Sequence, residues 1–264
     1  MKLKKYGTLI RAGVLESMQF RLSMLFTFVG NLLYLLLIYN LWRAIYNSSE
    51  SEIVNGMTFQ DTMIYLVFAT ALFNFMEMWV VWDMGRDIQS GKITVDLLKP
   101  MSYKSWRFFI GCGEMVTKFF VTFLPTTIIC YAVTDGAIKL GKNVPVFILS
   151  VLCSVMINYY INFMVGVVCM HTQSIWGINI MKEVIVGILS GAMVPLAFFP
   201  ETLKKVAMFL PFQAICNSPM KILMHYEDGV MSTLLLQVFW VVVLYILSEL
   251  YFRASLKKIT INGG

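Results

Sequence analysis

The residues nearest to a nucleotide-binding motif run from Gly136 to Asn143, with the sequence GAIKLGKN. A phosphate-binding loop follows G-x-x-x-x-G-K-[ST], in which the last hydroxyl binds magnesium and a strand leads into the loop. Here Asn143 takes the last position, and no strand is predicted before it. We therefore expect no cofactor on this chain.

Catalytic motifs are equally lacking in the sequence. It has no HExxH and no GxSxG, and it contains two histidines and five cysteines without a CxxC pair. These counts exclude a histidine-rich metal site and a disulfide framework. We predict no catalytic residue and no metal site.

Ionisable side chains inside hydrophobic runs carry more information. Each costs about 2.5–3.5 kcal/mol at the bilayer centre, even on lenient scales. Glu114 and Lys118 are spaced to form an intramembrane ion pair on one helix face. Glu77 lacks such a partner, so it binds substrate, pairs across to Lys118, or lies near the headgroups.

A polar row with a spacing of four residues follows further along the chain. It consists of Ser150, Ser154, Asn158, Asn162 and Gly166. Small and amide side chains at this spacing allow close helix packing and interhelical hydrogen bonds. The row is either a packing ridge or one wall of a substrate path, to which Asn158 and Asn162, with Glu77, would contribute.

The elements that position these residues are predicted to be membrane helices. The chain is 58% hydrophobic and 14% charged, with a mean hydropathy of +0.73, whereas soluble domains have about 25% charged residues. About 20 apolar residues span a bilayer as a helix. Six runs qualify: Leu22–Trp42, Thr62–Trp82, Phe108–Val133, Val144–Met170, Glu183–Phe199 and Thr233–Phe252. The fold class is thus an all-α integral membrane protein with six spans.

The distribution of basic residues predicts the orientation. If the N-terminus is cytoplasmic, 14 of the 21 Lys and Arg residues fall in inner segments and six in outer ones. Positive charge favours the inner side, so both termini are predicted to be cytoplasmic. The net charge of +6 is spread between hydrophobic runs. This spread favours a lipid bilayer as partner over nucleic acid.

We expect one domain, residues 1–264, with residues 22–252 holding the spans and 253–264 a cytoplasmic tail. Residues 1–21 have apolar side chains on one broad helical face, which predicts an amphipathic helix on the inner membrane surface. A plain lead-in to the first span is the alternative. The lack of targeting sequences favours a bacterial plasma membrane.

Two segments outside the spans are distinctive. The inner loop between spans two and three mixes charge with Ile88, Leu97 and Leu98, which suits a short helix pressed on a cytoplasmic partner, with Gly91 and Pro100 as bends. A helix resting on the membrane is the alternative. Between spans five and six, Pro195, Pro200, Pro211 and Pro219 favour a re-entrant helical turn over a plain outer loop.

These two segments resemble a known family. The loop D-I-x-S-G-x-I-x-x-D-L-L-K-P runs from Asp87 to Pro100, and S-G-x-x-x-P-L-x-x-F-P runs from Ser190 to Pro200, before Leu210-Pro211-Phe212. With the order of surface helix, spans and turn, they resemble small permease subunits of ABC-2 type exporters over nearly the whole length.

The resemblance implies a division of labour. Two permeases, identical or different, would pair, and separate ATPase subunits holding ATP and magnesium would bind at the inner face. The coupling residues would be Ile88, Gly91, Leu97, Leu98 and Pro100. The re-entrant turn with Pro195, Pro200 and Pro211 would form an outer gate, and the substrate would be an amphipathic or hydrophobic peptide, lipid or drug. A self-sufficient secondary carrier or channel is the alternative function.

Overall fold

The computed structural model describes residues 2–49, 51–133, 144–172, 175–224 and 229–257. The segment Gly136–Asn143 lies outside these residues. The α-helices are α1 (Lys2–Gln19), α2 (Arg21–Asn47), α3 (Phe59–Met76), α4 (Val80–Gln89), α5 (Lys92–Leu97), α6 (Tyr103–Lys118), α7 (Leu124–Val133), α8 (Val144–Thr172), α9 (Trp176–Leu189), α10 (Glu201–Phe209), α11 (Asn217–Met224) and α12 (Val230–Leu256). A π-helix (Phe119–Phe123), two 3-10 helices (Leu196–Phe198 and Pro211–Ala214) and two short strands, β1 (Ile53–Val54) and β2 (Met57–Thr58), complete the described elements.

Five helical stretches of the described chain are long and apolar enough to cross a membrane. They are Leu22–Asn47, Phe59–Gln89, Tyr103–Ala132, Val144–Thr172 and Val230–Leu256. Each overlaps one of the predicted runs, so the all-α integral membrane class is confirmed. Two stretches are composite, because Phe59–Gln89 joins α3 to α4, and Tyr103–Ala132 joins α6, the π-helix and α7.

The predicted span Glu183–Phe199 differs from what the structure contains. The helix there, α9, begins at Trp176 and ends at Leu189 after 14 residues. Gly191, with φ of +83°, turns the chain after it, and Pro195 directly precedes a 3-10 helix. The prediction therefore placed both ends too far along the chain, and Lys182 lies within the helix instead of in an inner loop.

The spanning stretches are longer than a bilayer requires. They hold 26 to 31 residues, which at about 1.5 Å per residue gives about 39–46 Å. The hydrocarbon core is only about 30 Å thick. Each stretch therefore has more residues than are needed to cross the core.

Helix α1 packs along α6 through a glycine contact that the amphipathic pattern did not predict. A Cβ on Gly13 would collide with the Ile110 carbonyl oxygen, and a Cβ on Gly113 with that of Ile10. The rings of Tyr6 and Phe109 extend the contact, with centroids 4.3 Å apart. The backbones of α1 and α6 therefore approach closely, and α1 is held by protein as well as by any membrane surface.

A two-residue hairpin precedes α3. Ile53 pairs with Thr58 and Val54 with Met57. Asn55 and Gly56 both have positive φ, of 50° and 82°, which a tight hairpin turn requires. The Asn-Gly dipeptide was the available sequence signal for this element. Thr58 then begins α3 in a capping box with Asp61.

The glycine contact generates the first prediction. Gly113→Ala should lower the heat-unfolding midpoint of the detergent-solubilised protein, because overpacking costs about 1–3 kcal/mol. Gly7→Ala is the matched control, since nothing lies within 4 Å of its added Cβ and alanine favours a helix by about 1 kcal/mol. A Gly113→Ala protein at least as stable as Gly7→Ala would contradict the close α1–α6 packing.

Candidate functional site

The segment joining spans two and three forms a short helix with an exposed apolar tip. Gly91 has φ of +71° and turns the chain between α4 and α5. Leu98 is 85% exposed, Val95 63% and Leu97 37%. Ile88, predicted with the leucines, instead packs partly buried against the chain's own core. The tip available to a partner is thus Val95, Leu97 and Leu98, which we call the apolar tip.

A buried ionic network fixes the base of this segment. Arg107 of α6 donates hydrogen bonds to Asp83 at 2.9 Å and to Asp87, both on α4. The Tyr103 hydroxyl donates to Asp87 Oδ2 at 2.9 Å, and Arg86 pairs with Asp83 on the surface side. Because Arg107 and Asp87 are under 10% exposed and each has several partners, α4 and α6 are fixed to each other next to the loop that joins them.

Lys104 connects the same base to the later spans. Its ammonium donates to Ser248 Oγ at 2.6 Å and to the Tyr245 carbonyl at 3.2 Å, both on α12. It also lies over the Tyr160 and Tyr245 rings, 4.8 and 4.4 Å from the centroids. A displacement of the apolar tip therefore reaches α8 and α12 through protein contacts.

Helix α1 touches the end of the segment as well. The Lys5 ammonium donates a hydrogen bond to the Pro100 carbonyl at 3.0 Å. A polar cleft of about 700 Å³ lies nearby, and its lining includes Glu16 of α1, Arg86 of α4 and Lys92 of α5. Pro100 is thus exposed, while its carbonyl oxygen is hydrogen-bonded to Lys5 of α1.

The second span is broken between α3 and α4, and side chains from other helices satisfy the freed backbone groups. Glu77 is extended, with ψ of 125°. Asn158 donates to the Met76 carbonyl at 2.9 Å, Lys118 donates to the Glu77 carbonyl at 2.6 Å, and the Glu114 carboxylate accepts from the Trp79 N–H at 3.0 Å. Non-helical backbone at membrane depth is tolerated only with such partners.

These bonds correct the prediction for Glu114 and Lys118. The predicted ion pair does not form between these two described residues; each side chain instead binds backbone of the break. The i, i+4 spacing did place both on the face of α6 that meets the second span. It could not reveal that the span is interrupted, because no proline or glycine lies between Met76 and Trp79.

The polar row of α8 is a packing ridge in this conformation. Ser150 bonds Gln237 of α12, Ser154 donates to the Ala214 carbonyl, and Asn162 accepts from Lys182 of α9 at 2.8 Å. Asn158 and Asn162, predicted to line a path, are 5% and 1% exposed. They hold neighbouring elements together, while the Glu77 carboxylate interacts electrostatically with Lys182 and Glu183.

The proline-rich segment is a chain of short helices packed on α3, α8 and α12. Pro195 precedes the first 3-10 helix, Pro200 precedes α10, and Pro211 begins the second 3-10 helix. Gln237 of α12 donates to the Ala214 carbonyl at 2.9 Å, and Thr70 of α3 donates to the Ala192 carbonyl. Pro195 and Pro200 thus directly precede a helical piece, and Pro211 takes the first helical position, where the missing N–H of proline is tolerated.

An apolar groove of about 500 Å³ opens on another part of the molecule. It lies between α8 and the α6–π-helix stretch, with Phe75 of α3 also in its lining. Phe120 and Leu152, also in its lining, are 61% and 58% exposed. The groove is therefore continuous with exposed apolar surface on these helices.

Residues 32–263 match the family described as ABC-2 family transporter protein. The chain belongs to this family. It is therefore the membrane permease of an ABC transporter, a component that is not itself catalytic and that associates in general with an ABC ATPase subunit. No curated protein matched the sequence.

The sequence of this ABC-2 permease did not lead us to predict the ionic network that joins α4 to α6 at the base of the segment between spans two and three. Asp83 and Asp87 are spaced i, i+4 on α4, and Tyr103 and Arg107 are spaced i, i+4 on α6. Two such complementary pairs flanking one loop were a usable signal. Lys104 gave none, because its partners on α12 are 141 and 144 residues away.

The break in the second span generates the second prediction. Asn158→Leu should destabilise the permease by about 1–3 kcal/mol, because it leaves a buried carbonyl without a donor. Asn40→Leu is the control, since exposed Asn40 bonds only within its own helix, to the Leu36 carbonyl, and should change stability by less than about 0.5 kcal/mol. Heat-unfolding midpoints in detergent measure both. Equal midpoints for the two variants would refute the proposed role of Asn158.

Proposed function

We propose that this ABC-2 permease forms the membrane half of an exporter for an amphipathic or hydrophobic substrate. It pairs with a second permease, a copy of itself or a paralogue, and docks separate ATPase subunits at its inner face. ATP and magnesium bind those subunits. The exposure of Leu98 at the end of a segment anchored to α6, α8 and α12 is the observation that carries the proposal.

The apolar tip is exposed, whereas the base of the same segment is buried. Large apolar side chains exposed together at a polar surface mark interaction sites. Val95, Leu97 and Leu98 are exposed, whereas Ile93 of the same helix is 2% exposed and holds α5 to the core. A partner that displaces this tip would also displace α4 and α6, because the base of the segment is fixed to both helices. This is the mechanical requirement for coupling ATP hydrolysis to the spans.

The substrate class follows from the groove. Its lining is almost entirely apolar and reaches from Phe75 to exposed Phe120, so it suits acyl chains or apolar side chains that enter from the bilayer. We place the path along this groove with Glu77 at its inner end. Asn158 and Asn162 form the packed layer behind it in the present conformation.

We further propose six spans, with α9 as the fifth and both termini cytoplasmic, in the plasma membrane. The helices between Pro195 and Met224 then re-enter from the outer side, where Pro195, Pro200 and Pro211 shape a gate. In this arrangement the N-terminal α1 lies along the inner membrane surface and contacts Pro100. This places α1 and the coupling segment on the same side as the ATPase.

The coupling assignment gives the third prediction. Leu97→Gln together with Leu98→Gln should detach the ATPase, because both changes remove the apolar area without adding charge. Leu97→Met with Leu98→Met is the matched control and should retain it, because methionine keeps the apolar volume. The readout is the amount of a G-x-x-x-x-G-K-[ST] protein retained on the tagged chain in mild detergent, with unfolding midpoints to verify folding. Full retention by the glutamine pair would disprove docking at this tip.

A further inference from the structure

In the segment that joins spans two and three, three basic side chains face outward, the three acidic ones face inward, and Lys104 and Arg107 are buried. Between Asp83 and Arg107 the sequence has five basic and three acidic residues. The exposed side-chain fractions are 70% for Arg86, 61% for Lys92 and 42% for Lys99. Those of the three aspartates are at most 14%. A sequence close to neutral therefore folds into a cationic surface.

The aspartates are withdrawn for identifiable reasons. Asp87 is held by Arg107 and Tyr103 inside the base, and Asp83 by Arg107 and Arg86. Asp96, 2% exposed, binds Lys99 at 2.7 Å through Oδ1. These carboxylates are committed to the chain's own cations, so they are not available to a partner.

The outward cations flank the apolar tip. Lys92 begins α5 and Lys99 follows Leu98 directly. The Lys99 ammonium is fixed 3.7 Å from the centroid of the Trp106 ring, whereas Lys92 lies 3.8 Å from Asp87 and is otherwise exposed. Because Lys92 precedes Val95 by three residues and Lys99 follows Leu98 directly, a partner that covers the apolar tip would bring its rim towards these two lysines.

We infer that the ATPase surface receiving this tip is an apolar groove rimmed by carboxylates, with one carboxylate opposite Lys92. This inference rests on the proposed function, because it requires that the tip is the docking element. Complementary rim charges orient the partner and raise the association rate more than the final affinity. They also reject partners that lack the acidic rim, which gives specificity among related ATPases.

Zero-length carbodiimide crosslinking of the native complex tests this directly. The reagent joins a lysine Nζ to a carboxylate as an amide and takes up the released water itself. Peptide mass spectrometry should find Lys92 joined to an Asp or Glu of the co-purifying protein that carries G-x-x-x-x-G-K-[ST]. Lys92→Arg keeps the charge but lacks the amine, so this crosslink should disappear.

Charge reversal provides the quantitative arm and the fourth prediction. Lys92→Glu should weaken ATPase association about three- to fivefold at low salt, and the difference should vanish in about 1 M salt, where the screening length is about 3 Å. Lys205→Glu reverses an exposed lysine on α10 and should leave association unchanged.

The outcomes separate the inference from the function it rests on. If the glutamine pair at Leu97 and Leu98 detaches the ATPase, but Lys92→Glu behaves like Lys205→Glu and no Lys92 crosslink forms, the acidic rim is refuted and docking stands. If the glutamine pair retains the ATPase, docking at this tip fails and the rim fails with it. A Lys92 crosslink with salt-sensitive weakening supports both.

Discussion

The interrupted second span imposes the constraint on which the rest of this permease depends. Between Met76 and Val80 the helix is interrupted within a stretch long and apolar enough to cross a membrane, and the freed backbone groups need partners that lipid cannot supply. Asn158, Lys118 and Glu114 supply them. These contacts join α6 and α8 to the break between α3 and α4.

The ionic contacts on α4 and α6 are the ones that the proposed coupling to an ATPase would use. Arg107 locks α4 to α6, and Lys104 locks α6 to α12. Arg107 and Asp87 form a buried ion pair, and removing one partner from such a pair typically costs about 3–5 kcal/mol. The exposed leucines at the tip are the complementary part: they are costly to leave in water, and a docked ATPase would cover them. In the proposed function, an ATPase that binds the exposed tip would move α4 and α6 together, because the base fixes these two helices to each other.

The lengths of the hydrophobic runs predicted most of the fold, whereas the interruption of the second span was not predicted. Hydrophobic length located five candidate spans, and the mixture of charge and leucines predicted the short helix α5, because both depend on composition over many residues. The break at Glu77 was missed since it is stabilised by side chains from other helices and not by local propensity. The same holds for Asn158, whose spacing of four signalled packing but not the Met76 carbonyl that it binds. The glycine contact between α1 and α6 is likewise a pairwise property that a single helical pattern does not contain.

Vesicles reconstituted with and without the partner ATPase measure the central claim most directly. We propose that this chain moves an amphipathic solute against its gradient only when an ATP-hydrolysing subunit is docked on the apolar tip. Uptake of a fluorescent amphipathic cation should require the chain, the ATPase and ATP together, and it should be absent with the chain alone under an imposed ion gradient. Uphill accumulation by vesicles that contain only this chain would contradict the account.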